Sequence, residues 1–93
     1  MSNPTQTQGR VLRDYYRLGL VTHQKAVSTD EGYVLAFKLK GSKDVHVLTK
    51  ARGGPRHFAS LDTLVEFLRT LGGAQPTLSI DLIPSTFFNQ EHS

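Results

Sequence analysis

Ninety-three residues with no cysteine make one small domain, whose core cannot be stapled by disulfides or built around a thiolate-held metal. The first residues carry no basic cluster followed by an apolar run, and nowhere do eighteen apolar residues stand together. A secretory signal and a membrane span are therefore not expected, and the cytoplasm is the expected compartment. Net charge is only +3, but residues 10–57 hold ten of the eleven Lys and Arg against Asp14, Asp30, Glu31 and Asp44. Residues 58–93 set Arg69 alone against Asp62, Glu66, Asp81 and Glu91. Such asymmetry favours an acidic partner for the first half of the chain.

Residues 1–8 are polar, include Pro4, and read as a disordered tail ahead of a single domain over 9–83. From Gly9 to Leu18 the apolar Val11, Leu12, Tyr15, Tyr16 and Leu18 fit helical spacing, with Gly19 at the capping position. A strand through the same residues is the alternative, because Tyr and Val also suit sheets. Residues 20–28 read as a first strand, closed by the turn-like Thr29-Asp30-Glu31-Gly32. In the next strand Tyr33, Leu35, Phe37 and Leu39 alternate with Val34, Ala36, Lys38 and Lys40. After a turn at 41–44, Val45, Val47, Thr49 and Ala51 alternate with His46, Leu48, Lys50 and Arg52, which predicts a β-hairpin. Gly53-Gly54-Pro55 breaks this strand, and Arg56-His57-Phe58 can return as a short one. Ser60 is placed to cap a helix along the stripe Leu61, Leu64, Val65, Leu68, Leu71. Thr77–Ile83 alternates as an edge strand, and 84–93 read as a tail carrying Phe87 and Phe88. The expected fold is α+β in the order α-β-β-β-α-β, a small antiparallel sheet of three to four strands with helices on one face. The other face would be left to water, holding Lys38, Lys40, His46, Lys50 and Arg52.

Catalytic patterns are scarce. His23, His46, His57 and His92 have no ligand-like spacing, so neither a metal nor a cofactor is expected. No serine sits in a nucleophile elbow, no glycine cluster precedes a P-loop Lys, and Asp30-Glu31 suits a turn better than acid–base chemistry. A non-catalytic binding protein is the expectation. Lys38, Lys40, Lys43, Lys50, Arg52 and Arg56 fall within nineteen residues against Asp44 alone. With His46, they form a candidate nucleic-acid surface, since each neutralised phosphate releases condensed counterions. Lysines that merely solvate and blunt an exposed sheet are the plainer reading of the same residues. Tyr15, Tyr16, Phe67, Phe87 and Phe88 are candidate anchors for a protein interface, which includes a homodimer.

The segment Gly54-Pro-Arg-His-Phe-Ala-Ser-Leu-Asp-Thr-Leu-Val-Glu-Phe-Leu-Arg-Thr-Leu-Gly72 resembles short accessory proteins of bacterial plasmids and phages. There a basic strand end runs through Phe-x-Ser/Thr into an amphipathic helix. The arm-site DNA-binding domains of integrases are similar in this layout, as are some anti-CRISPR proteins. The resemblance implies either DNA binding or inhibition of a host protein or nucleoprotein complex. The expected partners are accordingly nucleic acid, or an acidic protein or nucleoprotein surface.

Overall fold

The computed structural model describes residues 5–81. Its elements run β1 (Thr5–Gln8), α1 (Gly9–Arg17), β2 (Val21–Thr29), β3 (Gly32–Leu39), β4 (His46–Thr49), α2 (Leu61–Leu71) and β5 (Leu78–Asp81). Among the described residues five strands form one mixed sheet in the order β1-β4-β3-β2-β5. The expected antiparallel sheet of three to four strands is thus corrected to a larger one with parallel edges. The central β2–β3–β4 meander is antiparallel, whereas β1 pairs parallel to β4 and β5 parallel to β2. Helical crossovers explain the difference. A helix laid over the sheet returns the chain to the end where the previous strand began, so the next strand runs parallel.

The additional strand is Thr5-Gln-Thr-Gln8, whose polar composition carries no strand signal. Its backbone pairs along β4 from Thr5↔His46 to Gln8↔Thr49, and only Thr7 is buried. Gln8 then turns directly into α1. It supplies no side-chain cap there, and its Nε2 instead donates to the Ala51 carbonyl at 3.1 Å.

Helix α1 buries Leu12 and Tyr16, one turn apart, which settles 9–17 as helix rather than strand. The Tyr16 hydroxyl donates to Gln24 Oε1 of β2, and burial pushes its pKa well up. Helix α2 starts with a reciprocal cap. Thr63 N–H donates to Ser60 Oγ at 3.2 Å, and Ser60 N–H donates to Thr63 Oγ1 at 3.3 Å. Its buried face is Leu64, Leu68 and Leu71. The chain leaving α2 passes so near α1 that a Cβ on Gly73 would stand 2.9 Å from the Tyr16 carbonyl. Its φ of +78° is also left-handed, so glycine serves both needs.

Both helices lie on one sheet face, over Val21, Ala26, Leu35, Phe37, Leu48 and Phe58. The other face is not the water-facing basic surface that alternation suggested. Val27, Val34, Ala36 and Val47 form a second buried cluster there, joined by half-buried Val45. The β4 side chains are inverted relative to expectation because register overrides the local pattern. Phe37 pairs with His46 and Ala36 with Val47, and residues directly opposite share a face. His46 and Leu48 therefore go under the helices, and Val45 and Val47 go to the far side. No helix among the described residues is long and apolar enough to cross a membrane.

Candidate nucleic-acid interface

The residues predicted to form one basic face are divided by the fold. Strand β4 covers only His46–Thr49, about 13 Å at strand rise, and the cations cluster beyond its two ends. Before it stand Lys38, half-buried on β3, and the exposed Lys40 and Lys43 of the β3–β4 turn. After it, Lys50 and Arg52 lie in a tight exposed loop closed by Gly53 N–H to Lys50 O (2.9 Å) and Lys50 N–H to Gly54 O (3.0 Å). They do not continue the strand, so they do not share a sheet face with Lys38 and Lys40. His46 belongs to neither group. It is 8% exposed, its Nδ1 is 3.1 Å from Thr7 Oγ1, and its ring stacks on Phe37. Burial lowers its pKa, with Asp44 opposing this more weakly.

Arg56 returns alongside β4, its N–H donating to Leu48 O at 3.0 Å. Its guanidinium lies 4.4 Å from the Phe67 ring centre and 4.9 Å from that of Phe58. A cation over two rings is held in place without spending its hydrogen-bond donors. Phe67 Cζ in turn approaches to 3.4 Å of where a Gly9 Cβ would stand. Arg56 is thereby brought to the N-terminal end of α1. The Gln8–Ala51 bond brings the Lys50–Arg52 loop to the same end. A groove of about 370 Å³ beside β1, lined in part by Gln8, Val11, Thr49 and Gly53, runs between helix and loop.

Arg10, Arg13 and Arg17 were not singled out from sequence, yet all three are exposed on one stripe of α1. Their i, i+3, i+7 spacing was the available signal, masked by the apolar periodicity of the same segment. The stripe is about 10 Å long. It begins beside Arg56 and the loop, and no acidic residue occupies the first turn of α1. The positive end of the helix dipole adds to the field there. Asp14 lies 3.7 Å from Arg17, and Glu31 lies 3.8 Å from His57. Asp62 and Glu66 are exposed on α2, where Glu66 lies 3.5 Å from Arg69.

The aromatic candidates are mostly internal. Tyr16 is fully buried, and Tyr15 packs against Phe37 and His46 at 6.5 and 6.3 Å between ring centres. Phe67 is half-buried against Phe58 at 5.4 Å. Phe87 and Phe88 lie outside the described residues. No cluster of three or more His, Asp or Glu side chains placed to hold a metal ion occurs among the described residues. The chain matches no protein-family model, no curated protein and no solved structure.

Proposed function

We propose that this chain is a non-catalytic binding protein that holds a nucleic-acid backbone on one end of its helix layer. Arg10, Arg13 and Arg17 would track successive phosphates, while Lys50, Arg52 and Arg56 would close on the backbone from the loop beside them. The observation carrying this reading is the gathering of six exposed cations at α1 and its adjoining loop, with Asp14 the one acid on the stripe. The length of the stripe, about 10 Å, equals about three 3.4 Å steps of one DNA strand. Arginine suits the role because its planar fork presents several donors to phosphate oxygens at once.

Fluorescence anisotropy with labelled duplex DNA, single-stranded DNA and RNA at two salt concentrations tests the proposal. Binding that weakens steeply with salt is expected, with a log–log slope of up to about 5 if all six cations meet phosphates. Absence of binding to all three polymers at low salt would reject nucleic acid as the partner. It would leave the same cations to an acidic protein surface, where their loss would chiefly slow association.

A further inference from the structure

The groove beside β1 differs in chemistry from the surface around it. Its lining, which includes Thr5, Thr7, Gln8, Val11, Tyr15 and His46, holds no carboxylate, ammonium or guanidinium group. Burial lowers the pKa of His46, so its imidazole adds no charge at neutral pH. Gly53, which closes the Lys50–Arg52 loop, completes the lining and sets cations at the rim of an uncharged interior. Resting on the nucleic-acid reading, we propose that this groove accepts one unstacked nucleobase of a single strand whose phosphates lie on those cations. A nucleotide is divided in the same way, into an anionic backbone and an uncharged flat base with hydrogen-bonding edges. The volume of about 370 Å³ lies within the range of sites that hold small molecules.

The two walls offer different kinds of contact. Val11 and Tyr15 stand four apart on α1 and so share one face of the helix. Val11 is 36% exposed, and packing against Phe37 and His46 holds the half-buried Tyr15 ring in place. A fixed aromatic ring beside an exposed apolar side chain is a surface on which any base can stack. The other wall is β1, the edge of the sheet among the described residues. Thr5 N–H donates to the Val45 carbonyl at 2.8 Å. Backbone N–H and C=O groups alternate in direction from residue to residue along a strand. Those of Thr5 and Thr7 therefore face β4, and those of Gln6 face the unpaired edge. Gln6 also lines the groove. Its adjacent N–H and C=O match the neighbouring donor and acceptor on the edge of a base.

Fluorescence anisotropy of the full chain tests the groove with three labelled single strands of equal length. These are a DNA oligonucleotide, an RNA oligonucleotide and a DNA strand that is abasic throughout, which keeps the phosphates and lacks the bases. The abasic strand should bind about tenfold more weakly than the base-bearing DNA, the loss expected for one stacked base, with the salt slope unchanged. Tyr15→Leu should erase that difference. Should this variant unfold, amide shifts of the parent by ¹H–¹⁵N NMR decide, and those of Gln6, Val11 and Tyr15 should differ between the base-bearing and abasic strands. Tighter binding of RNA would identify a ribonucleotide in the groove, tighter binding of DNA a deoxyribonucleotide, and equal affinity the base alone. Equal binding of abasic and base-bearing DNA overturns the groove assignment and leaves the phosphate surface standing. So does a base preference that survives in folded Tyr15→Leu, or identical shifts at the three amides. Binding of none of the strands at low salt overturns the phosphate reading and the groove assignment together.

Discussion

His46 stacks on Phe37 with ring centres 5.2 Å apart and planes 20° from parallel, beneath the helix layer. Thr7 of the edge strand completes its surroundings through the 3.1 Å contact with Nδ1. The site favours a neutral imidazole, and burial sets the pKa below its ordinary value of 6.5. The unfolded chain therefore binds a proton at a higher pH than the folded one. Stability from this group is complete above about pH 6.5 and falls as pH drops from there toward the lowered folded pKa. Urea unfolding midpoints should decline across this window in the parent protein and decline less in His46→Asn. Identical pH profiles for the two would show that His46 is accommodated as a cation.

Leu64 lies fully buried at the centre of α2's inner face. Leu64→Ala should cost about 2–5 kcal/mol through lost transfer energy and the cavity left behind. A domain of this size has about 5–14 kcal/mol in total, so the urea midpoint should fall severely. Exposed Thr70, on the outer side of the same helix, provides the contrast, and Thr70→Ala should shift the midpoint little. An unchanged midpoint for Leu64→Ala would contradict the packing of α2 on the sheet.

Gly32 ends the β2–β3 turn with φ at +122°, and a Cβ there would stand 2.4 Å from the Phe58 carbonyl oxygen. That oxygen accepts from Tyr33 N–H at 2.8 Å, so backbone would have to move. Gly32→Ala should destabilise by roughly 2–5 kcal/mol, combining strain with overpacking. Chemical denaturation checks this, and a cost under about 1 kcal/mol would mean the Phe58 segment yields easily.

Much of this fold was legible because apolar spacing and local punctuation agreed. Leu12 with Tyr16, the Ser60 cap with the Leu64–Leu68–Leu71 stripe, and the Thr29–Gly32 turn each appear where their chemistry points. Strand β1 was illegible because Thr5-Gln-Thr-Gln8 is held through its backbone, and its pairing with β4 spans about forty intervening residues. The facing of β4 is hidden in the sequence for a related reason. Residues 45–48 are apolar or amphipathic on both sides, so only their pairing with Ala36 and Phe37 decides which side is covered. That inversion removes His46 from the candidate interface, and the end of β4 at Thr49 separates Lys38, Lys40 and Lys43 from Lys50, Arg52 and Arg56. The arginine stripe of α1 was written in the sequence, but its proximity to the loop depends on Phe67, Gly9 and the Gln8–Ala51 bond.

If α1 and the 50–56 loop carry nucleic-acid contacts as proposed, the β3–β4 turn contributes almost none. The most direct test compares salt dependence of duplex DNA binding for the parent and two triple variants. One is Arg10→Ala, Arg13→Ala and Arg52→Ala; the other is Lys38→Ala, Lys40→Ala and Lys43→Ala. Each lost phosphate contact removes about 0.9 from the slope of log K against log salt, so the first variant should lose about 2.7 and the second almost none. A slope lost in the second variant and kept in the first would place the contacts on the β3–β4 turn instead.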